Sequence, residues 1–180
     1  MVANAAEIVA FWNEAGRDRW FKKDAAFDDE IRRRFLSTHE AAAAGALSDW
    51  EHTAEGALAL LLLLDQFPRN MFRGNARAYA TDPLARAIAA GAIVRGFDSQ
   101  VPQELRTFFY LPFEHSEDIA DQERNLALTK ASGDLDALKW AEIHHDIIRR
   151  FGRFPHRNAA LGRTTTPEEQ AFLDAGGFAG

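Results

Sequence analysis

Cysteine is absent from this chain of 180 residues. Disulfides, thiolate nucleophiles, cysteine-ligated clusters and thiolate zinc sites are therefore excluded. Long apolar runs are also missing: the longest, Ala57 to Leu64, falls far short of the roughly 18 residues a membrane span needs. There is no glycine-rich phosphate loop, no Gly-x-Ser-x-Gly elbow and no His-Glu-x-x-His pair, which removes the motif-bearing nucleotide, serine-hydrolase and zinc-peptidase classes. The N-terminal MVANAAEIVAFW lacks a basic region and carries Glu7 within its first apolar stripe, unlike a secretory leader. No membrane association and a cytoplasmic location are the resulting expectations. Excess positive charge is lacking too. A net charge of -6 argues against nucleic acid, whose phosphates recruit a basic face.

What remains is a chain with 47% hydrophobic content, enough at this length to bury roughly 70% of the surface the unfolded form exposes. Helix signals dominate and strand signals are nearly absent. Ile8, Phe11, Trp12 and Ala15 mark one helical face that Gly16 can close; Phe27, Ile31, Phe35 and Thr38 or His39 mark a second that closes near Gly45. Thr53 caps a third, apolar on more than one side and hence buried. It should end at Phe67, because a proline at 68 pushes its predecessor out of the α region. Asp82-Pro83 reads as a cap and first-turn proline, and Val101-Pro102 opens a short helix. Ser116 suits a helix start with Glu117 and Asp118 in its first turn. Gly133 and Gly152 are stops, Asp134 is a cap, and Thr166-Pro167-Glu168-Glu169 is a capping box. The expectation is an all-α, single domain over residues 1–180 with about seven or eight helices.

Three segments carry more polar punctuation than packing requires: LDQFPRN at Leu64 to Asn70, YLPFEHSED at Tyr110 to Asp118, and FGRFPHRN at Phe151 to Asn158 followed by Leu-Gly-Arg. These segments, together with the Phe11-Trp12 and Trp20-Phe21 pairs, resemble the bacterial domain-of-unknown-function family numbered 924 over nearly the whole chain. The resemblance implies antiparallel helix pairs grouped with tetratricopeptide-like superhelices. It implies no activity.

The chemistry must come from the motifs. Asp65 near a helix C-terminus meets an unfavourable dipole and calls for an arginine, with Arg69 and Arg73 as local candidates; a structural ion pair and a ligand-orienting fork are both open. Asn70 and Asn158 follow their prolines and are read as caps of short helical turns, whose free N–H groups favour anions. Glu114 to Glu123 contains five acids and no lysine or arginine, while Ile147 to Arg163 contains five arginines and no acid. Either these stretches line a cleft or they form a salt-bridge network. Glu142-x-x-His145 is half of a di-iron signature without its second half, so no metal and no cofactor are expected. His144 shares the face of Trp140, Ile147 and Phe151 and points inward.

Two readings follow. In the first, a site for a small anionic molecule, hydrolytic in type, has Glu114, His115 and His156 moving protons. Asp65, Gln66, Arg69, Asn70, Tyr110, His144, Arg153, Arg157 and Asn158 then bind the ligand. In the second, a tetratricopeptide-like module binds a peptide or protein.

Overall fold

The structure, a computed structural model, describes residues 2–180. Among the described residues every regular element is helical. Seven helices have eight or more residues; shorter helical turns link them. The chain divides into two compact units, the first running up to Arg73 and then over Arg77–Pro112, the second comprising Gly74–Ala76 and Phe113–Gly180.

The first unit begins with α1 (Ala5–Ala15), which Asn4 starts with a capping box to Glu7 and Gly16 closes at φ 71°. The short α2 (Arg17–Trp20) follows, then α3 (Ala25–Ala43) behind its cap Asp24. α4 (Ala54–Leu61) has its Gly56 N–H satisfied by the Thr53 side chain, as the sequence predicts. Packed by α1, α6 (Asp82–Val94) and the turn at Ser48–His52, α4 and the turn after it place Leu58 to Leu64 in full burial. Phe11, Trp12, Trp20, Phe27, Phe35, Phe67 and Phe108 join them in one aromatic core, with Trp12 and Trp20 stacked and Trp20 Nε1 donating to Trp12 O at 2.6 Å.

The leucine helix does not end at Phe67. It widens into a π turn over Leu62–Gln66 and continues as α5 (Phe67–Met71), with Phe67 in the α region at φ -59°, ψ -37°. The reason lies in hydrogen bonding. Phe67 N–H reaches back to Leu62 O rather than Leu63 O, and Pro68, lacking an N–H, offers no donor to Leu64 O. Two carbonyls thus lose their usual partners, and side chains replace them. His39 Nδ1 lies 2.8 Å from Leu63 O, and Thr81 Oγ1 donates to Leu64 O at 2.5 Å. The carbonyls are buried, so leaving them unpaired would cost about 1–3 kcal/mol each. This wider turn relieves the proline clash that sequence reasoning took as terminal.

Asp82 likewise departs from expectation. It occupies the first turn of α6 rather than the cap, Thr81 precedes the helix, and the Asp82 carboxylate is used elsewhere. α7 (Gln103–Arg106) completes the helices of this unit, and α8 (Leu111–Glu114) carries the chain into the second.

In the second unit α9 (Ile119–Ser132) and α10 (Leu135–Phe151) form a helical hairpin. Gly133, left-handed at φ 77°, ends α9, and Asp134 caps α10 through Ala137 N. Gly152, at φ 68°, ends α10. The start of α9 corrects the sequence reading: Asp118 is its cap, accepting from Ala120 N, while the Ser116 hydroxyl donates to Asp121. α11 (Pro167–Asp174) begins with the expected Thr166–Glu169 capping box. Ile147, Ile148 and Phe154 form the local core, with Ile143, Phe151, Phe172 and Phe178 against it.

Candidate functional site

In the first unit the LDQFPRN segment forms an internally paired polar network. Asp65 is 1% exposed. Arg69, one turn on, donates to the Asp65 carbonyl at 2.7 Å, lies 3.3 Å from its carboxylate, and makes a two-pronged bond to Asp82 at 2.8 and 2.9 Å. Gln66 Nε2 donates to Asp65 Oδ2 at 2.6 Å. Burial alone would lower the Arg69 pKa, but Asp65 and Asp82 outweigh it and hold the guanidinium above its ordinary value. Asn70 is no cap. It lies inside α5, and its amide donates to Asp28 at 2.7 Å, where Arg73 also converges at 2.5 and 3.0 Å. Tyr110, in the same unit, donates its hydroxyl to Asp98 at 2.8 Å; burial first, then that carboxylate, raises the phenol pKa.

The second unit brings together the remaining predicted residues, drawn from YLPFEHSED, α10 and FGRFPHRN. Glu114 and His144, 6% and 5% exposed, lie 3.4 Å apart through Oε1 and Nδ1. His144 Nδ1 is also 2.8 Å from Trp140 O. A carbonyl only accepts, so Nδ1 carries a proton and the neutral ring keeps its lone pair on Nε2. Asn125 Nδ2 donates to Glu114 Oε2 at 3.1 Å, and Thr129 Oγ1 to Asn125 Oδ1 at 3.2 Å. Gln122 Nε2 donates to the carbonyls of Glu114 and Ser116 at 2.6 and 2.7 Å; the first is a C-terminal group of α8 that the helix end leaves open, the second lies just beyond it.

The two charged segments do meet in part. Glu117 accepts Arg163 at 2.7 and 3.0 Å and the Phe154 N–H at 2.8 Å. Burial opposes its ionisation, yet Arg163, that N–H and the charge of Arg157 hold its pKa below the ordinary value. Arg157 Nη1 donates to His115 O at 2.9 Å, and its guanidinium carbon lies 4.3 Å from the Phe154 ring centre. The His115 and His144 rings are 6.4 Å apart; His156 lies 5.7 Å from Phe154. Arg153 turns instead to Glu169, at 2.6 and 2.9 Å, and Asn158 donates to the same carboxylate at 3.2 Å.

Asn158 is α-helical in conformation and follows the turn Pro155–Arg157 rather than capping it. The two Phe-Pro segments therefore differ locally. Phe154, before Pro155, is extended at φ -89°, ψ 109°, whereas Phe67, before Pro68, is helical. The π turn makes that difference, so the expected pair of matching anion-binding helix starts is absent from these segments.

The sequence profile described as a bacterial protein of unknown function, DUF924, matches residues 8–177. The chain belongs to this family. A solved structure of a protein of unknown function from Agrobacterium tumefaciens, ATU0120, is 58% identical, superposes with a TM-score of 0.92, and is matched over 95% of this chain and 97% of that one. Comparison with curated proteins yields no match.

Residues that the motifs did not flag turn out to build this DUF924 chain's polar interior. Gln122, Asn125 and Thr129 are the buried residues of α9, all at most 2% exposed. Their spacing of three and four puts them on one face. That pattern was readable: a helix burying an amide stripe instead of an aliphatic one faces polar partners. The arginine partners of Asp28, Asp82, Glu117 and Glu169 gave no such local signal, because each stands at least 13 positions away in sequence.

Chemically, a buried carboxylate beside a histidine with its Nδ1 proton fixed suits general-base work at Nε2 and stabilises the imidazolium once formed. Ser116 is engaged with Asp121, which leaves water as the simplest nucleophile for such a base. No group of three or more metal-ligating side chains clusters among the described residues.

Proposed function

We propose that the Glu114–His144 pair, with His115, His156 and Arg157, forms a site in the second unit for a small anionic molecule, hydrolytic in type. The observation that carries this reading is the buried pair at 3.4 Å, supported behind Glu114 by Asn125 and Thr129. Packing does not require a carboxylate, an imidazole and an amide stripe where aliphatic side chains would do, and buried polar networks are costly unless fully satisfied. Three histidines and Arg157 favour an anion; His144 Nε2 takes a proton from the attacking water. Asp65, Gln66, Arg69 and Asn70 hold their own segment in place, and Arg153 and Asn158 hold α11.

A peptide-binding, tetratricopeptide-like module is the alternative, and the α9–α10 hairpin is what favours it. The amide stripe favours the first reading, because it is spent inside the unit rather than along a groove.

Thermal-shift titration with inorganic phosphate tests the proposal. Phosphate at about a hundred times its Kd stabilises by about 2.7 kcal/mol, or about 5–10 °C for a chain this long. Arg157→Ala and His144→Ala should each remove most of that shift. An unchanged shift in both variants, or none in the wild type with phosphate, sulfate or acetate, overturns it.

A further inference from the structure

The segment after α11 leaves the helix through Gly176 (φ 80°) and Gly177, whose N–H binds Phe172 O at 3.0 Å. A Cβ at Gly177 would lie 2.5 Å from the Phe172 ring, so a side chain there would push that ring aside. This turn delivers Phe178 to a set of rings that includes the proposed base. The Phe178 centroid lies 4.5 Å from His144, 5.2 Å from His156 and 6.2 Å from Trp140. Phe154 touches both histidines, at 5.4 and 5.7 Å, and carries the Arg157 guanidinium over its ring. A Cβ on Gly180 would meet the His156 ring at 3.1 Å, so the segment lies close along this side.

Phe178 is only partly buried, and Trp140 is 48% exposed. A ring at 178 thus covers His144 without being sealed into the core. Gly176 and Gly177 before it raise the conformational entropy lost on docking, and the contacts holding it are aromatic rather than aliphatic. Such a cage is selective for flat rings; the Arg157 cation stacks on its Phe154 wall at 4.3 Å, and the Glu114 carboxylate lies 3.4 Å from the His144 ring nitrogen.

On the reading that His144 and Arg157 serve an anion, we infer that Trp140, His144, Phe154 and His156 form a subsite for an aromatic ring. The chain's own Phe178 occupies it. The ligand class is then an aromatic anion, a phenyl group bearing a phosphate or carboxylate, and binding displaces Phe178. Phe178 thereby acts as an internal competitor that fills the ring subsite, and not the anion position, when no ligand is present.

Calorimetric titration of wild type and Phe178→Ala with phenyl phosphate and with inorganic phosphate tests this. Phenyl phosphate should bind Phe178→Ala at least tenfold more tightly than wild type, while the affinity for inorganic phosphate changes less than twofold. Equal phenyl phosphate affinity in the two proteins, with inorganic phosphate binding both, overturns the subsite and leaves the anion site standing. Absence of binding by either probe to either protein overturns the anion site itself, and the subsite with it. Should Phe178→Ala not fold, the wild type still decides the matter by NMR. Contacts between the Phe178 and His144 ring protons should vanish on saturation with phenyl phosphate, and their persistence overturns the displacement.

Discussion

Replacing Asp82 by alanine should destabilise the chain by about 2–3 kcal/mol. The Arg69–Asp82 side chains are 19% and 9% exposed, so the pair is part-buried and falls below the roughly 3–5 kcal/mol that removing one partner of a fully buried pair costs. The two charge-assisted bonds, at 2.8 and 2.9 Å, would be lost together. Arg69 would not be stranded, because the Asp65 carbonyl at 2.7 Å and carboxylate at 3.3 Å stay in place, and this lowers the expected loss. For a chain of this length the Tm should fall by about 4–12 °C. Urea unfolding and calorimetry measure it. Asp82→Asn should recover part of the loss, since the amide oxygen still accepts one bond. A cost below about 0.5 kcal/mol, the range of exposed pairs, would refute the view that this network holds the first unit.

Thr81→Val should cost about 1–2 kcal/mol in urea unfolding, because it strips the donor from the Leu64 carbonyl inside the π turn; a neutral result means that carbonyl has another partner. His39 gives a pH signature. Burial lowers its pKa more than the bond to Leu63 raises it, so the unfolded chain binds the proton first and stability falls as pH drops below about 6.5. His39→Gln should remove that acid-side loss in urea titrations between pH 5 and 8. Glu169, held down to about 2 mainly by Arg153 against the effect of burial, contributes stability fully above its ordinary carboxylate value and loses it as pH falls toward 2. Carboxyl NMR should show its titration moving up toward the ordinary range in Arg153→Ala.

Local chemistry was readable in advance and distant pairing was not. Thr53, Asp134 and the Thr166–Glu169 box satisfy N–H groups within three residues of themselves, so composition alone placed them. Gly16, Gly133 and Gly152 adopt positive φ at helix ends, which few other residues tolerate. The continuation past Pro68 was hidden because its donors, His39 and Thr81, stand 24 and 17 positions from the carbonyls they serve. Asp82 and Ser116 look like caps in sequence, but an arginine 13 positions away engages the first, and Asp121, five positions away, engages the second. Of the candidate site, the motif residues Glu114, His115 and Arg157 were visible as polar excess. The support behind them was not flagged, although the Gln122, Asn125, Thr129 spacing contained it.

The measurement closest to the central claim is long-range proton–nitrogen correlation of the histidine rings during a phosphate titration. Neutral His144 should carry its proton on Nδ1 with Nε2 unprotonated, and phosphate should move the ring signals of His144, His115 and His156 together while those of His39 stay still. A His144 ring protonated only at Nε2, or ring signals that ignore phosphate throughout, would contradict that claim.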